Sequence, residues 1–99
     1  MTQIRFDWDR RKAADNVRKH RVSFDEAATV FADERAILID DPDHPGDEGD
    51  RLVLIGISAR LRLLVVVHCF RESNSVIRII SARRANRREE SEYVSRYTR

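Results

Sequence analysis

Cysteine is almost absent from this chain. The single Cys69 excludes an internal disulfide framework and a four-cysteine zinc site. Proline and glycine are scarce too, and both prolines and two of the three glycines fall within Asp40–Asp50. Few helix- or strand-breaking residues therefore lie outside that stretch. No apolar run approaches the ~20 residues that span a bilayer. The opening MTQIRFDWDRR lacks the apolar core of a signal peptide, so a cytoplasmic location is expected. Lysine is missing from the second half altogether. Residues 51–99 carry eleven Arg against four Glu, whereas residues 1–50 carry eight Lys+Arg against thirteen Asp+Glu. The formal net charge of +2 conceals this split. An arginine-only basic half suits phosphate, which a guanidinium grips with a planar fork. It is equally consistent with arginine-favouring codon usage and a solvated face, because charge counts speak to association and not to fold.

Ninety-nine residues make one domain with a modest core, and a hydrophobic content of 41% argues against wholesale disorder. The chain is organised around 60–84, RLRLLVVVHCFRESNSVIRIISARR. Leu63 to Val67 is an unbroken apolar run, as expected for a central strand covered on both faces. A second strand runs from Val76 to Ile80, and the polar Glu72-Ser73-Asn74-Ser75 turns the chain between the two.

The flanking segments read in order. Ile4 to Trp8 alternates as a short strand. Asp9 is a helix N-cap for Arg10 to His20, with Ala13, Ala14, Val17 and His20 on one face. Ser23-Phe24-Asp25-Glu26 is a capping box opening a helix to about Ala32–Asp33, with the Glu26 side chain reaching back to the cap. Ala36 to Ile39 is an outer strand. Asp40–Asp50 is a loop with six acidic residues, whose spacing does not match a calcium-loop register and which is expected to serve solubility. Arg51 to Ser58 is another strand, in which Gly56 marks a bulge or a close approach. Asn86-Arg87-Arg88-Glu89 is a second capping box, opening a helix from Arg87 to about Tyr97 with Tyr93, Val94 and Tyr97 on its apolar side. The expected class is α+β, an antiparallel sheet of about four to five strands in a consecutive meander, in the order β-α-α-β-β-β-α.

Polar groups stand within this apolar frame. His68 lies in the central strand, where a lone histidine is more often a packed core residue than a catalyst. Arg78 interrupts an apolar strand and needs a partner or an anion. Arg71 and Arg83 lie at strand ends, and Cys69 reads as a small packed hydrophobe. Hairpin register decides which of them meet. An even loop puts Arg78 on the face of Cys69 and Arg71, whereas an odd loop puts it with His68. No Asn-Gly signal chooses between them.

The chain resembles the BrnT family of bacterial toxins. The matching segments are Phe6-Asp7-Trp8-Asp9, Lys12-Ala13 with Asn16 and Lys19-His20, and Val22-Ser23-Phe24-Asp25-Glu26-Ala27. They continue through Val30-Phe31-Ala32-Asp33, Asp40-Asp41-Pro42-Asp43-His44, Arg51, Ile55-Gly56, Leu63 to His68, and Arg78-Ile79-Ile80-Ser81-Ala82-Arg83. Each piece is short; together they cover residues 4 to about 97 in order. The chain departs at Arg21, where relatives commonly carry a glycine suited to a left-handed helix C-cap, and at Cys69-Phe70.

The resemblance implies a RelE-like fold over 1–99 and an endoribonuclease that cleaves RNA without a metal or other cofactor. It also implies neutralisation by a BrnA-like ribbon-helix-helix antitoxin, operator DNA contacted only through the toxin–antitoxin complex, and no membrane. A homodimer within that complex is a further expectation. For such chemistry, Arg78 and Arg83 are expected to bind the phosphate and its transition state, with Arg60 and Arg71 in support. His68 is the candidate acid or base; if the loop parity sets it apart from Arg78, Tyr93 or an arginine cluster must replace it, and Tyr93 is also expected at the substrate. The rival is a non-catalytic module that binds nucleic acid or the antitoxin; the lack of an RNA-recognition aromatic pattern counts against its RNA form.

Overall fold

The computed structural model describes residues 4–41 and 51–96. Its elements are β1 (Arg5–Asp7), α1 (Arg10–His20), α2 (Phe24–Thr29), a 3₁₀ turn (Val30–Ala32), β2 (Ile37–Asp40), β3 (Leu52–Ile57), β4 (Leu63–Arg71), β5 (Val76–Arg84) and α3 (Arg87–Ser95). The α+β class and the two-plus-one distribution of helices agree with the sequence. The five strands run in the order β1-β5-β4-β3-β2, one strand more than the expected series. The meander β2 to β5 is antiparallel, but β1 lies parallel to β5. Two side chains set that pairing. Phe6 packs against Phe31 at 5.3 Å between ring centroids, and Asp7 meets Arg78 at 2.5 Å.

Strand alternation divides the core in two. Leu54, Leu64, Val66, Ile77, Ile79 and Ala82 meet Val22, Phe24, Ala27 and Val30 beneath the N-terminal helices. Val53, Ile55 and Val65 point the other way and are covered by Tyr93 of α3. Leu63 to Val67 is thus covered on both faces, as its unbroken apolar run requires.

Helix α1 corrects one expectation. Ala14 and Val17 are exposed, and the buried residue is Asn16. Beyond Arg78 the outer edge of β5 has left β1 behind, so Ala82 needs partners for its peptide groups. Asn16 Nδ2 donates to Ala82 O at 2.8 Å and to Val22 O at 2.9 Å, and Asn16 Oδ1 accepts from Ala82 N–H at 3.1 Å. One amide side chain does the work of a strand neighbour. A stripe of apolar spacing could not reveal this, because the tether is polar.

Both capping boxes open helices, but differently. Asn86 and Glu89 satisfy each other's backbone in full. Ser23 Oγ accepts from Glu26 N–H at 3.0 Å, whereas the Glu26 carboxylate turns away. It takes Arg62 Nε at 2.9 Å, the Arg62 Nη2 group, and the Ser58 hydroxyl at 2.7 Å, tying α2 to the β3–β4 turn. Helix α3 buries Tyr93 and leaves Val94 exposed; Tyr97 and the acidic loop 42–50 lie outside the described residues. Arg21 caps α1 in the left-handed conformation, φ 59°.

Gly56 marks a close approach. A Cβ there would sit 2.9 Å from Ala36 Cβ, Asp33 Oδ2 and Val30 Cγ1. That approach brings Asp33 over β3, where its Oδ2 accepts from Ile57 N–H at 2.8 Å and from the Tyr93 hydroxyl at 2.7 Å.

Candidate active site

The hairpin loop is even. Arg71 pairs with Val76 and Cys69 with Arg78, leaving four residues in the turn. Ser75 N–H returns to Glu72 O at 3.1 Å, and Ser73 and Asn74 take the positive φ values of 55° and 70° that a type I′ turn requires. Arg78 therefore shares a face with Cys69 and Arg71, opposite the helices.

A bulge between Val67 and His68 moves the register by one: His68 pairs with Ile79 and Val67 with Ser81, so Ile80 is the extra residue. Without it, Arg83 would face the helices. With it, Arg83 lies opposite Val65 and Ser81 opposite Val67, on the same face as Arg78. Arg83 and Arg78 are four β4 residues apart, about 13 Å along the strand at ~3.3 Å per residue.

Arg83 and Ser81 line a cleft of about 540 Å³ between the sheet and α3. Val53, Ile55, Val65 and Val67 form its apolar floor, and Asn86 and Glu89 stand at the start of α3. Arg83 Nη1 and Nη2 donate to Glu89 Oε1 at 2.8 Å and Oε2 at 2.7 Å. The Arg83 hydrogen bonds hold the Glu89 carboxyl below the usual range against the opposing effect of burial; Glu89 in turn raises the Arg83 pKa. Nη1 also reaches Arg84 O at 3.3 Å. Among the described residues, Nε–H and the second hydrogen of Nη2 meet no acceptor, so the side-on fork of Arg83 is open. Arg78 repeats the arrangement: its Nη1 holds Asp7, and its Nε/Nη2 edge has no acceptor among the described residues. A carboxylate on one edge fixes each guanidinium while the other edge remains available to an oxyanion.

The remaining candidates lie elsewhere. His68 is fully buried on the helix side, edge-on to Phe31 at 4.8 Å and to Phe70 at 5.6 Å. Its Nδ1 is 3.2 Å from Val66 O, its Nε2 has no partner among the described residues, and burial lowers its pKa. The sheet separates it from Arg83. Arg60 sits beyond the far end of β3, 4.0 Å from Glu26 and 74% exposed in its side chain. Arg71 is exposed at the end of β4, on the face of Arg78. Tyr93 lies beneath α3, 3% exposed, with its hydroxyl on Asp33. Hydrogen bonds from Ile57 N–H and Tyr93 hold the Asp33 carboxyl low in spite of burial.

The structure thus places Arg71, Arg78 and Arg83 along one face of the sheet, with only Arg83 in the cleft, and sets His68 and Arg60 apart from them. Glu89 is the site residue that sequence reading missed. Its capping-box position gave it a structural role that hid the second one. Among the described residues, no group of three or more His, Cys, Asp or Glu is placed to hold a metal ion. No helix among them is long and apolar enough to cross a membrane.

The family described as "Ribonuclease toxin, BrnT, of type II toxin-antitoxin system" matches residues 8–89. No curated protein matches the sequence. Among solved structures, the chain is similar to the crystal structure of the Brucella abortus ribonuclease toxin, BrnT, with a TM-score of 0.64. The two are 22% identical, and the match covers 86% of this chain and all of that one.

Proposed function

We infer the activity from one premise: the chain belongs to the family of BrnT ribonuclease toxins of type II toxin–antitoxin systems. On that premise it is an endoribonuclease that needs no metal ion. The observation that carries the site is the pair of open guanidinium forks, on Arg83 and Arg78, along one face of the sheet.

Metal-free cleavage makes the 2′-hydroxyl oxygen attack the adjacent phosphorus. A base must take the hydroxyl proton, and a cation must stabilise the phosphorane. The Nε/Nη2 fork of Arg83 receives the phosphate oxygens. Glu89 Oε2, which accepts one bond from Arg83 and keeps an acceptor position, takes the proton. The phosphorus–5′-oxygen bond then breaks, the 5′-oxygen gains a proton from water, and a 2′,3′-cyclic phosphate remains. Arg78 and Arg71 hold the neighbouring backbone phosphates. His68, on the far side of the sheet, takes no part, and the proton transfer expected of it passes to Glu89. Tyr93 packs on the apolar floor beside the cleft, and Arg60 lies near Glu26 of α2.

The partner is a BrnA-like ribbon-helix-helix antitoxin, with operator DNA bound through the complex and a toxin pair within it; family membership supports this reading. The test is incubation of the purified chain with RNA in EDTA. Fragments ending in 2′,3′-cyclic phosphate are expected, and Arg83→Ala should lower the rate about 10²–10³-fold. Intact RNA, or an unchanged rate in that variant, would overturn the proposal.

A further inference from the structure

The cleft beside Arg83 has a composition that phosphate binding does not explain. Three cations line it, Arg51, Arg83 and Arg88, and so do three carboxylates, Asp41, Glu89 and Glu92. Arg83 is engaged with Glu89, and Arg88 lies 3.8 Å from Glu92. The charges cancel, and the floor is aliphatic. The cleft as a whole therefore carries no net formal charge, and only the open fork of Arg83 favours an anion. Its volume of about 540 Å³ lies within the usual span of small-ligand pockets, roughly 300–1,000 Å³.

Two uncharged polar groups face this space. The Ser81 hydroxyl makes no hydrogen bond to another described residue. Asn86 uses Oδ1 to accept Glu89 N–H at 2.9 Å, which leaves its Nδ2 hydrogens unassigned among them. An apolar floor carrying one hydroxyl and one amide donor suits a neutral heterocycle with hydrogen-bonding edges. The unpaired cationic forks of Arg78 and Arg83 stand on the same face, where an attached phosphate backbone would run.

We propose that the cleft between the sheet and α3 holds one nucleobase of single-stranded RNA, turned out of the stack, and that Ser81 and Asn86 read its edge. This rests on the ribonuclease reading and adds a substrate class to it. A base within a duplex cannot enter the cleft without unpairing, so unpaired RNA is selected. No aromatic residue among the described ones lines the cleft, so preference comes from hydrogen bonding more than from stacking.

The experiment uses the full chain, with binding and cleavage measured separately. Wild-type protein is titrated with fluorescent homopolymer oligoribonucleotides of the four bases and with an RNA duplex, and cleavage positions are mapped on a mixed-sequence strand. Val67→Phe fills the cleft from its floor. Asn86→Ser keeps a competent helix cap but removes the amide donor. Single strands should bind better than the duplex, with one base preferred. Val67→Phe should weaken that preferred binding at least tenfold, and Asn86→Ser should change the order of base preference in both assays. Thermal melts show which variants are folded, and Ser81→Ala supplies a second test of edge reading on the strand. Equal binding of duplex and single strand would overturn the pocket, as would an unchanged preference in all three variants, even if cleavage persists. Selective binding that needs Val67 and Asn86, without any cleavage, would sustain the pocket and overturn the nuclease reading.

Discussion

Asn16 should be the most sensitive polar position in the fold. Its three hydrogen bonds serve Val22 O, Ala82 O and Ala82 N–H, in residues that are 0% and 1% exposed. Asn16→Ala leaves all three backbone groups buried without partners. Each such orphan costs about 1–3 kcal/mol. With partial relaxation the variant should lose about 3–5 kcal/mol, a large part of the 5–15 kcal/mol typical of a domain. Asn16→Asp gives a sharper test. Its carboxylate still accepts Ala82 N–H but turns an anionic oxygen toward two carbonyl oxygens. Burial and these dipoles raise the folded-state pKa of the new acid above its unfolded value, near 3.9. A raised carboxyl contributes stability at low pH and loses it as pH rises through the folded value. The cost of Asn16→Asp relative to wild type should therefore be larger at pH 7 than at pH 5. Urea unfolding of both variants beside wild type at the two pH values measures this. A cost of Asn16→Ala below about 1 kcal/mol, or a cost of Asn16→Asp that grows on acidification, would refute the tether.

Three further outcomes are expected. Arg21→Gly should stabilise the chain by roughly 0.5–1 kcal/mol, because Arg21 caps α1 at φ 59° and its carbonyl bond from Arg62 does not depend on its side chain. A thermal melt reads this, and a lower midpoint would refute it. Gly56→Ala should cost about 1–3 kcal/mol, since its Cβ would press on Ala36 and Val30 at 2.9 Å. Wild-type-like denaturant unfolding would contradict that close approach. Acid should act in two stages. The lowered pKa of His68 means that stability falls as pH drops below the unfolded value of about 6.5, and the lowered carboxyls of Glu26, Asp33 and Glu89 add a second loss near and below pH 4. His68→Leu should flatten the first stage and leave the second, as followed by melting temperature against pH.

How far the sequence could be read depended on the kind of signal. Helix starts were legible because capping is local. Asp9 accepts Arg11 and Lys12 amides at 2.8 and 3.1 Å, and Ser23 and Asn86 cap as their patterns indicate. The central strand was legible because its apolar run allows little else. The site was not, because it turns on the parity of one loop and on one extra residue. Ile80 sits in an ordinary apolar strand sequence, yet its bulge carries Arg83 to the open face and leaves His68 beneath the helices. Asn16, Glu26 and Glu89 were hidden differently. Asn16 falls on no apolar stripe and Glu26 and Glu89 read as local capping residues, yet each reaches a partner outside its own helix. Glu26 finds Arg62, 36 positions away, and Asn16 finds Ala82, 66 positions away.

The parallel docking of Arg5–Asp7 on Val76–Arg78 bears on how the molecule is made. A ribosome releases the N-terminal strand and first helix long before the strand on which they rest. Until then the early segment has no surface to settle on, and closing so long a stretch of chain is slow. The arginine face is likewise assembled from residues translated late. The nascent polypeptide should thus stay incompletely folded, with its arginine face unassembled, until nearly all of it has emerged.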